Sequence, residues 1–222
     1  MIQAEICWRD GDSKNCFKTY LSVAEIFEAL QDWETASYFH KRCLDISIEF
    51  KYIEGEAKAY KGLGICEEQV LNKEEAMEHL QTGLDKAEEG QLQNITKDIS
   101  RNLVRVYQQI AIEYQDQGEF ENALQYFEKC LDVSRRANDR EKEAECYQQI
   151  GTIYEIQGDL EQSIKYRQDF LELCIENRNK SLQGQAHKQL AETHEKGGNI
   201  SAAIKHLLEV LNIAIEELDK KA

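Results

Sequence analysis

A near-regular interval of 40 residues runs through this chain, and no other feature of the sequence narrows its fold as far. Small residues that open apolar stretches stand at Ala36, Ala76, Ala123, Ser163 and Ala203, at spacings of 40, 47, 40 and 40. Twelve residues before each lies another small residue: Ala24, Gly64, Ala111, Gly151 and Ala191. A branched aliphatic directly precedes those every time, namely Val23, Leu63, Ile110, Ile150 and Leu190, and three positions further upstream come Tyr20, Tyr60, Tyr107, Tyr147 and His187. Self-similarity at such a period marks an array of supersecondary units, each burying only part of its apolar surface alone, so that stacking completes the core.

Between the two small residues of each unit runs a turn. Three of these turns hold Gly118, Gly158 and Gly198, suited to the left-handed conformation that ends a helix. Asp32, Asn72, Asp159 and Asn199 follow as caps for the second helix, with Glu75 or Gln162 completing capping boxes. The 222 residues include no Pro, which favours uninterrupted helices. Second helices are apolar at helical spacing, as in Ala123, Leu124, Phe127 and Leu131. The pattern resembles the tetratricopeptide repeat, where a small residue on each helix lets the two approach closely. It implies an all-α, right-handed, superhelical solenoid of about five helical hairpins, with repeats at about 17–54, 55–96, 97–140, 141–180 and 181–219. Residues 1–16 read as an N-terminal short helix or partial hairpin, with Ile2 to Arg9 helical and stopped by Gly11. The 47-residue interval leaves seven extra residues around Glu88 to Ser100. Either the first helix of the third repeat starts early, capped by Asn94 or Thr96, or a longer solvated loop stands there.

Acidic residues outnumber basic ones, 42 to 27, for a formal charge of −15. That balance excludes the basic stripe a nucleic-acid binder needs and disfavours anionic membranes. No apolar run is long enough to span a bilayer and no signal-like segment follows Met1, so an aqueous intracellular compartment is expected. Seven widely spaced cysteines without a C-x-x-C suggest reduced, part-buried thiols. His187 and His194 share a helical face, but a third ligand at suitable spacing is missing, and partial burial at the end of the array is the expectation. Cys66 is followed by Glu67 and Glu68, whose carboxylates raise a thiol's pKa and argue against a nucleophile. No phosphate loop, G-x-S-x-G or H-E-x-x-H occurs. The chain is therefore read as a non-enzyme with no cofactor and no structural metal.

Binding is the default task of a solenoid, whose first helices line an extended concave surface. The register aims Leu21, Lys61, Gln108, Gln148 and Lys188 there, with Lys18, Lys58, Arg105, Glu145 and Gln185 two positions before the Tyr or His of each unit, and Glu28, Glu68, Gln115, Glu155 and Glu195 further along. An acidic row is thus expected beside a row that is basic in the first three repeats: Lys18, Lys58, Lys61 and Arg105. An extended or helical acidic segment of another protein is the expected occupant.

Chaperone-binding repeat domains hold a terminal carboxylate with Lys and Asn, but Glu25 and Ile65 occupy the corresponding Asn positions here. The 40-residue spacing also resembles that of spindle-orientation adaptors. A closer resemblance is to the tetratricopeptide repeat protein 29 family of motile cilia and sperm flagella. The residues that carry it are Trp33 with Phe39 to Cys43, Glu56 to Tyr60 with Gly62 to Gly64, Leu103 to Tyr107, Lys142 to Glu145, and Gln157 to Leu160 with Ile164 to Tyr166. That family shares the longer interval near Glu88 to Ser100. The resemblance implies a non-catalytic component of the axoneme or its transport machinery, located in the cytoplasm and cilium. Its implied partners are dynein-associated, coiled-coil or intraflagellar-transport proteins, while the acidic tails of tubulin would be repelled by a chain of this charge. The alternative is a cytoplasmic adaptor that captures a peptide reversibly.

Overall fold

The computed structural model describes residues 13–219, and those residues form ten helices and no strand. In chain order they are α1 (Ser13–Ala29), α2 (Trp33–Glu49), α3 (Ile53–Gln69), α4 (Lys73–Glu89), α5 (Gln93–Asp116), α6 (Phe120–Arg136), α7 (Arg140–Gln157), α8 (Leu160–Glu176), α9 (Lys180–Lys196) and α10 (Ile200–Asp219). The chain divides into two compact units between Tyr107 and Gln108, inside α5. In the first unit α1 to α4 pack in sequence, each on the next; in the second, α6 to α10 do the same.

Hairpins close where the small residues predict. Ala24, Ala36, Ala76, Ala111, Ala123 and Ser163 are fully buried, and Ala191 and Ala203 nearly so. A methyl group on Gly64 would lie 2.5 Å from Cγ of Leu80 and 3.2 Å from the carbonyl oxygen of Ala76, so only the bare Cα lets α3 and α4 approach as they do. In the second unit the Ser163 hydroxyl donates across the equivalent contact to the Gly151 carbonyl at 2.8 Å. Around these contacts Leu63, Leu80, Leu84, Ile99 and Leu103 fill the first unit, and Phe127, Ile150, Ile153, Phe170 and Leu190 the second.

All nine turns between the described helices pass through one left-handed residue. Gly118, Gly158 and Gly198 have φ of 77°, 82° and 75°. The other six turns use Gln31, Lys51, Leu71, Gln91, Asn138 and Arg178, at φ between 51° and 65°. Non-glycine residues accept that region at a modest cost, which the following amide offsets by reaching back to the helix: Tyr52 N–H to Ser47 O at 2.7 Å, Asn72 N–H to Glu67 O at 2.9 Å.

Asp32, Asp159 and Asn199 cap α2, α8 and α10, accepting from Thr35, Gln162 and Ala202 N–H at 3.0–3.1 Å. Asn72 does not cap α4 with its side chain; its amide turns back to Glu67 at 3.3 Å. The capping box expected at Asn72 and Glu75 therefore lacks its first half. The seven extra residues of the long interval are helix, not loop: α5 has 24 residues where α3 has 17. It begins at Gln93, ahead of both Asn94 and Thr96, so neither is its cap; the Thr96 amide instead donates to the Leu92 carbonyl at 2.9 Å. The helix expected at Ile2 to Arg9 lies outside the described residues.

Candidate functional site

Because first helices repeat the same register, α1 and α3 in the first unit and α7 and α9 in the second present their predicted groove residues at equivalent positions. In the first unit Lys18 is exposed and Lys61 half-buried. Lys58 is half-buried with Nζ 2.6 Å from Glu54 Oε1, one helical turn back on α3. Arg105 behaves differently from the lysines. Its Nε donates to Oε1 of Glu68 at 2.7 Å and its Nη2 to Oε2 at 2.5 Å, a bidentate clasp between α5 and α3.

Three members of the acidic row, Glu28, Glu68 and Glu155, are committed to ties between helices. The Glu68 side chain is only 4% exposed. The Glu28 carboxylate on α1 accepts from Nε2 of His40 on α2 at 2.7 Å, and His40 is buried. In the second unit Glu155 on α7 is 2.7 Å from Nη2 of the buried Arg167 on α8, accepts from Thr193 Oγ1 at 3.1 Å, and is also bonded to Lys196 on α9. Burial alone would raise the Glu155 pKa, but Lys196 and Arg167 overcome this and hold it below the usual carboxylate range. Arg167 itself is pushed down by burial. Glu195 is exposed, as is Lys188, whose Nζ is 3.9 Å from Glu192. Gln108 and Gln115 are half-buried, Gln185 exposed.

Two predicted groove residues do meet at a concavity. Glu145 and Gln148 on α7 line a cavity of about 380 Å³ together with the apolar Phe170 and Leu173 on α8, Asn179 and Leu182. The Nε2 of Gln148 is buried there without a hydrogen-bond partner. An unsatisfied donor beside an apolar wall suits a ligand that offers an acceptor next to a hydrophobic group, as a peptide does.

Sequence spacing paired His187 with His194 and found no third member; the structure supplies His206 from α10. His187 Nδ1 lies 3.0 Å from His206 Nδ1, and the His194 ring stacks on His206 with centroids 5.5 Å apart. Burial pushes His187 below the ordinary value, against Glu209; burial and then the two neighbouring imidazoles do the same to His206. His40, Arg167 and His206 were all missed by linear reading, because each lies on a second helix, off the face that the repeat register aims outward.

The tetratricopeptide repeat family model matches residues 102–176 and 149–216. The chain is 28% identical over 154 residues to tetratricopeptide repeat protein 29 of Mus musculus and equally to that of Rattus norvegicus. Each match covers 65% of this chain and 32% of the relative, so it spans about a third of the length of those proteins. Among solved structures, the chain is similar to BtubC (BKLC) from P. vanneervenii, at a TM-score of 0.54 and 15% identity, over 96% of this chain and 85% of that one. It is also similar to the apo form of RapI, at a TM-score of 0.57 and 16% identity, over 90% of this chain and 54% of that one. At such identities the likeness speaks to fold alone. No helix among the described residues is long and apolar enough to cross a membrane.

Proposed function

Because this chain belongs to the tetratricopeptide repeat family, we propose that it is a non-catalytic protein–protein interaction scaffold of the motile cilium, supporting dynein-arm docking or intraflagellar transport. The observation that carries the ciliary reading is the 28% identity over 154 residues to tetratricopeptide repeat protein 29. The longer second interval, which the resemblance to that family also carries, supports it, here a 24-residue helix rather than a loop. The chain works in the cytoplasm and axoneme, and at a net charge of −15 it attaches through other proteins rather than through acidic tubulin tails.

Two surfaces take part in partner capture, one in each unit. On the first, Lys18, Lys58 and Lys61 attract an acidic segment, while Arg105 is occupied in holding Glu68. On the second, the cavity at Glu145 and Gln148 receives an apolar side chain and the carbonyl beside it. Charge reversal at Lys18 and Lys61, and separately Gln148→Leu, each tested by pull-down of native partners from ciliated cells, distinguish the two. Loss of a shared set of axonemal proteins supports the reading. Undiminished capture by both variants, at unchanged helicity, contradicts it.

A further inference from the structure

We propose that Glu28, His40 and Cys66 form a binding site for one divalent transition-metal ion of the zinc type, tying α1, α2 and α3 together within the first unit. The three side chains offer carboxylate oxygen, imidazole nitrogen and thiol sulfur, and their ligating atoms all lie within 4.8 Å of one another. A tetrahedral ion with bonds of 2.0–2.3 Å holds its donors about 3.3–3.7 Å apart, so closure needs side-chain shifts of roughly an ångström and no change of fold. One pair is already closer than that, His40 Nε2 and Glu28 Oε1 at 2.7 Å, and an ion entering between them separates them.

The local packing is arranged around the imidazole. Gly62 lies one helical turn before Cys66 on α3, and a methyl group there would fall 2.2 Å from His40 Cε1 and 2.3 Å from Nδ1. Absence of a side chain at that position is what seats the ring between the helices. His40 is 2% exposed, and its Nδ1 has no hydrogen-bond partner.

Cys66 is 1% exposed, yet it lines a cavity of about 400 Å³ bounded by Trp33, Tyr38, Glu67 and Val70. That space provides a route of entry and room for a water as fourth ligand. Sulfur, nitrogen and oxygen donors together select zinc or cobalt over magnesium and calcium, which require oxygen alone. On binding, the Cys66 thiol loses its proton to solvent and the thiolate sulfur bonds the ion; nothing is oxidised or reduced. With the Glu28 carboxylate, the thiolate balances the ion's two positive charges. The expectation of no structural metal came from spacing along single helices; these donors come from three.

Cobalt(II) titrated into the full chain, purified free of metal, is the test. One equivalent is expected to give tetrahedral visible absorption and a thiolate-to-cobalt charge-transfer band in the near ultraviolet, both displaced by zinc. Cys66→Ser abolishes the charge-transfer band, and Glu28→Gln, at a side chain 26% exposed and so tolerant of change, weakens binding at least tenfold. His206→Gln, in the other histidine cluster, leaves the spectrum unchanged. Circular dichroism checks each variant's helicity; if Cys66→Ser does not fold, Glu28→Gln decides. Absence of a charge-transfer band in the unsubstituted chain, its persistence in Cys66→Ser, unaltered affinity in Glu28→Gln, or its loss in His206→Gln overturns the proposal.

Discussion

The guanidinium of Arg105 clasps the carboxylate of Glu68 across 37 residues of sequence, at 2.7 Å and 2.5 Å, and the carboxylate side chain is only 4% exposed. The basic row and the acidic row of the repeat register thus meet each other before they meet a partner. Arg105→Leu leaves a buried carboxylate short of its bidentate donor, and a loss of about 1–3 kcal/mol is expected. Adding Glu68→Gln recovers part of it. Urea midpoints at constant m-value measure both, and a coupling energy near zero between the two substitutions contradicts the clasp.

Glycine substitutions separate close contact from idle flexibility. Gly62→Ala drives its methyl into the His40 ring and is expected to destabilise the chain by about 2 kcal/mol or more, through a forced shift of a fully packed side chain. At Gly184, within α9, the nearest atom to an added methyl is 4.0 Å away, at Ile213. There Gly184→Ala gains helix propensity and stabilises by about 0.5–1 kcal/mol. Thermal unfolding of the pair checks the opposed signs.

The histidine cluster gives the second unit a pH-dependent stability. His187 and His206 are held below the usual value of 6.5, so the unfolded chain binds protons there more readily than the folded one. Their contribution to stability is complete above 6.5 and is lost as pH falls below it, with Glu209 opposing the effect at both rings and His194 reinforcing it at His206. Denaturant midpoints followed from pH 8 to pH 5 should fall in the native chain and fall less in His206→Gln. An identical decline in both would remove the cluster as its source.

Burial also governs the thiols. Cys43 and Cys66 are pushed up to about 12 and Cys174 to about 11, and the hydrogen bond with the Cys146 thiol, together with burial, raises Cys130. All six described cysteines are buried thiols outside any disulfide. A disulfide reagent at pH 8 is therefore expected to leave them unmodified in the native protein and to reach them only in denaturant. Rapid native modification of peptides containing Cys43 or Cys130 would contradict the packing described for α2 and α6.

The helical hairpins were legible because the approach of two helices requires a small residue at one fixed register, and Ala36, Ala76, Ala123, Ser163 and Ala203 announce it in one dimension. The turns within each hairpin were equally visible, at Gln31 and Leu71 as at the glycines, whereas a turn between hairpins such as that at Lys51 was not, since any residue enters the left-handed region when the amides that follow it are satisfied by the helix behind. The long interval was ambiguous because the residues from Glu88 to Ser100 carry helical and loop signals alike; the packing of Thr96, Ile99 and Ser100 into the interior resolves it as helix. Charge at the groove was read from the first helices alone. What those side chains do depends on His40, Arg167 and His206, which the register assigns to the second helices and which sequence spacing does not connect to them.

The ciliary scaffold reading is tested most directly by tagging the endogenous protein and extracting isolated cilia first with detergent and then with high salt. Retention in the detergent-resistant axoneme followed by release in salt, together with dynein-associated or transport proteins, is the expected result. A uniform cytoplasmic signal with the protein absent from cilia contradicts it.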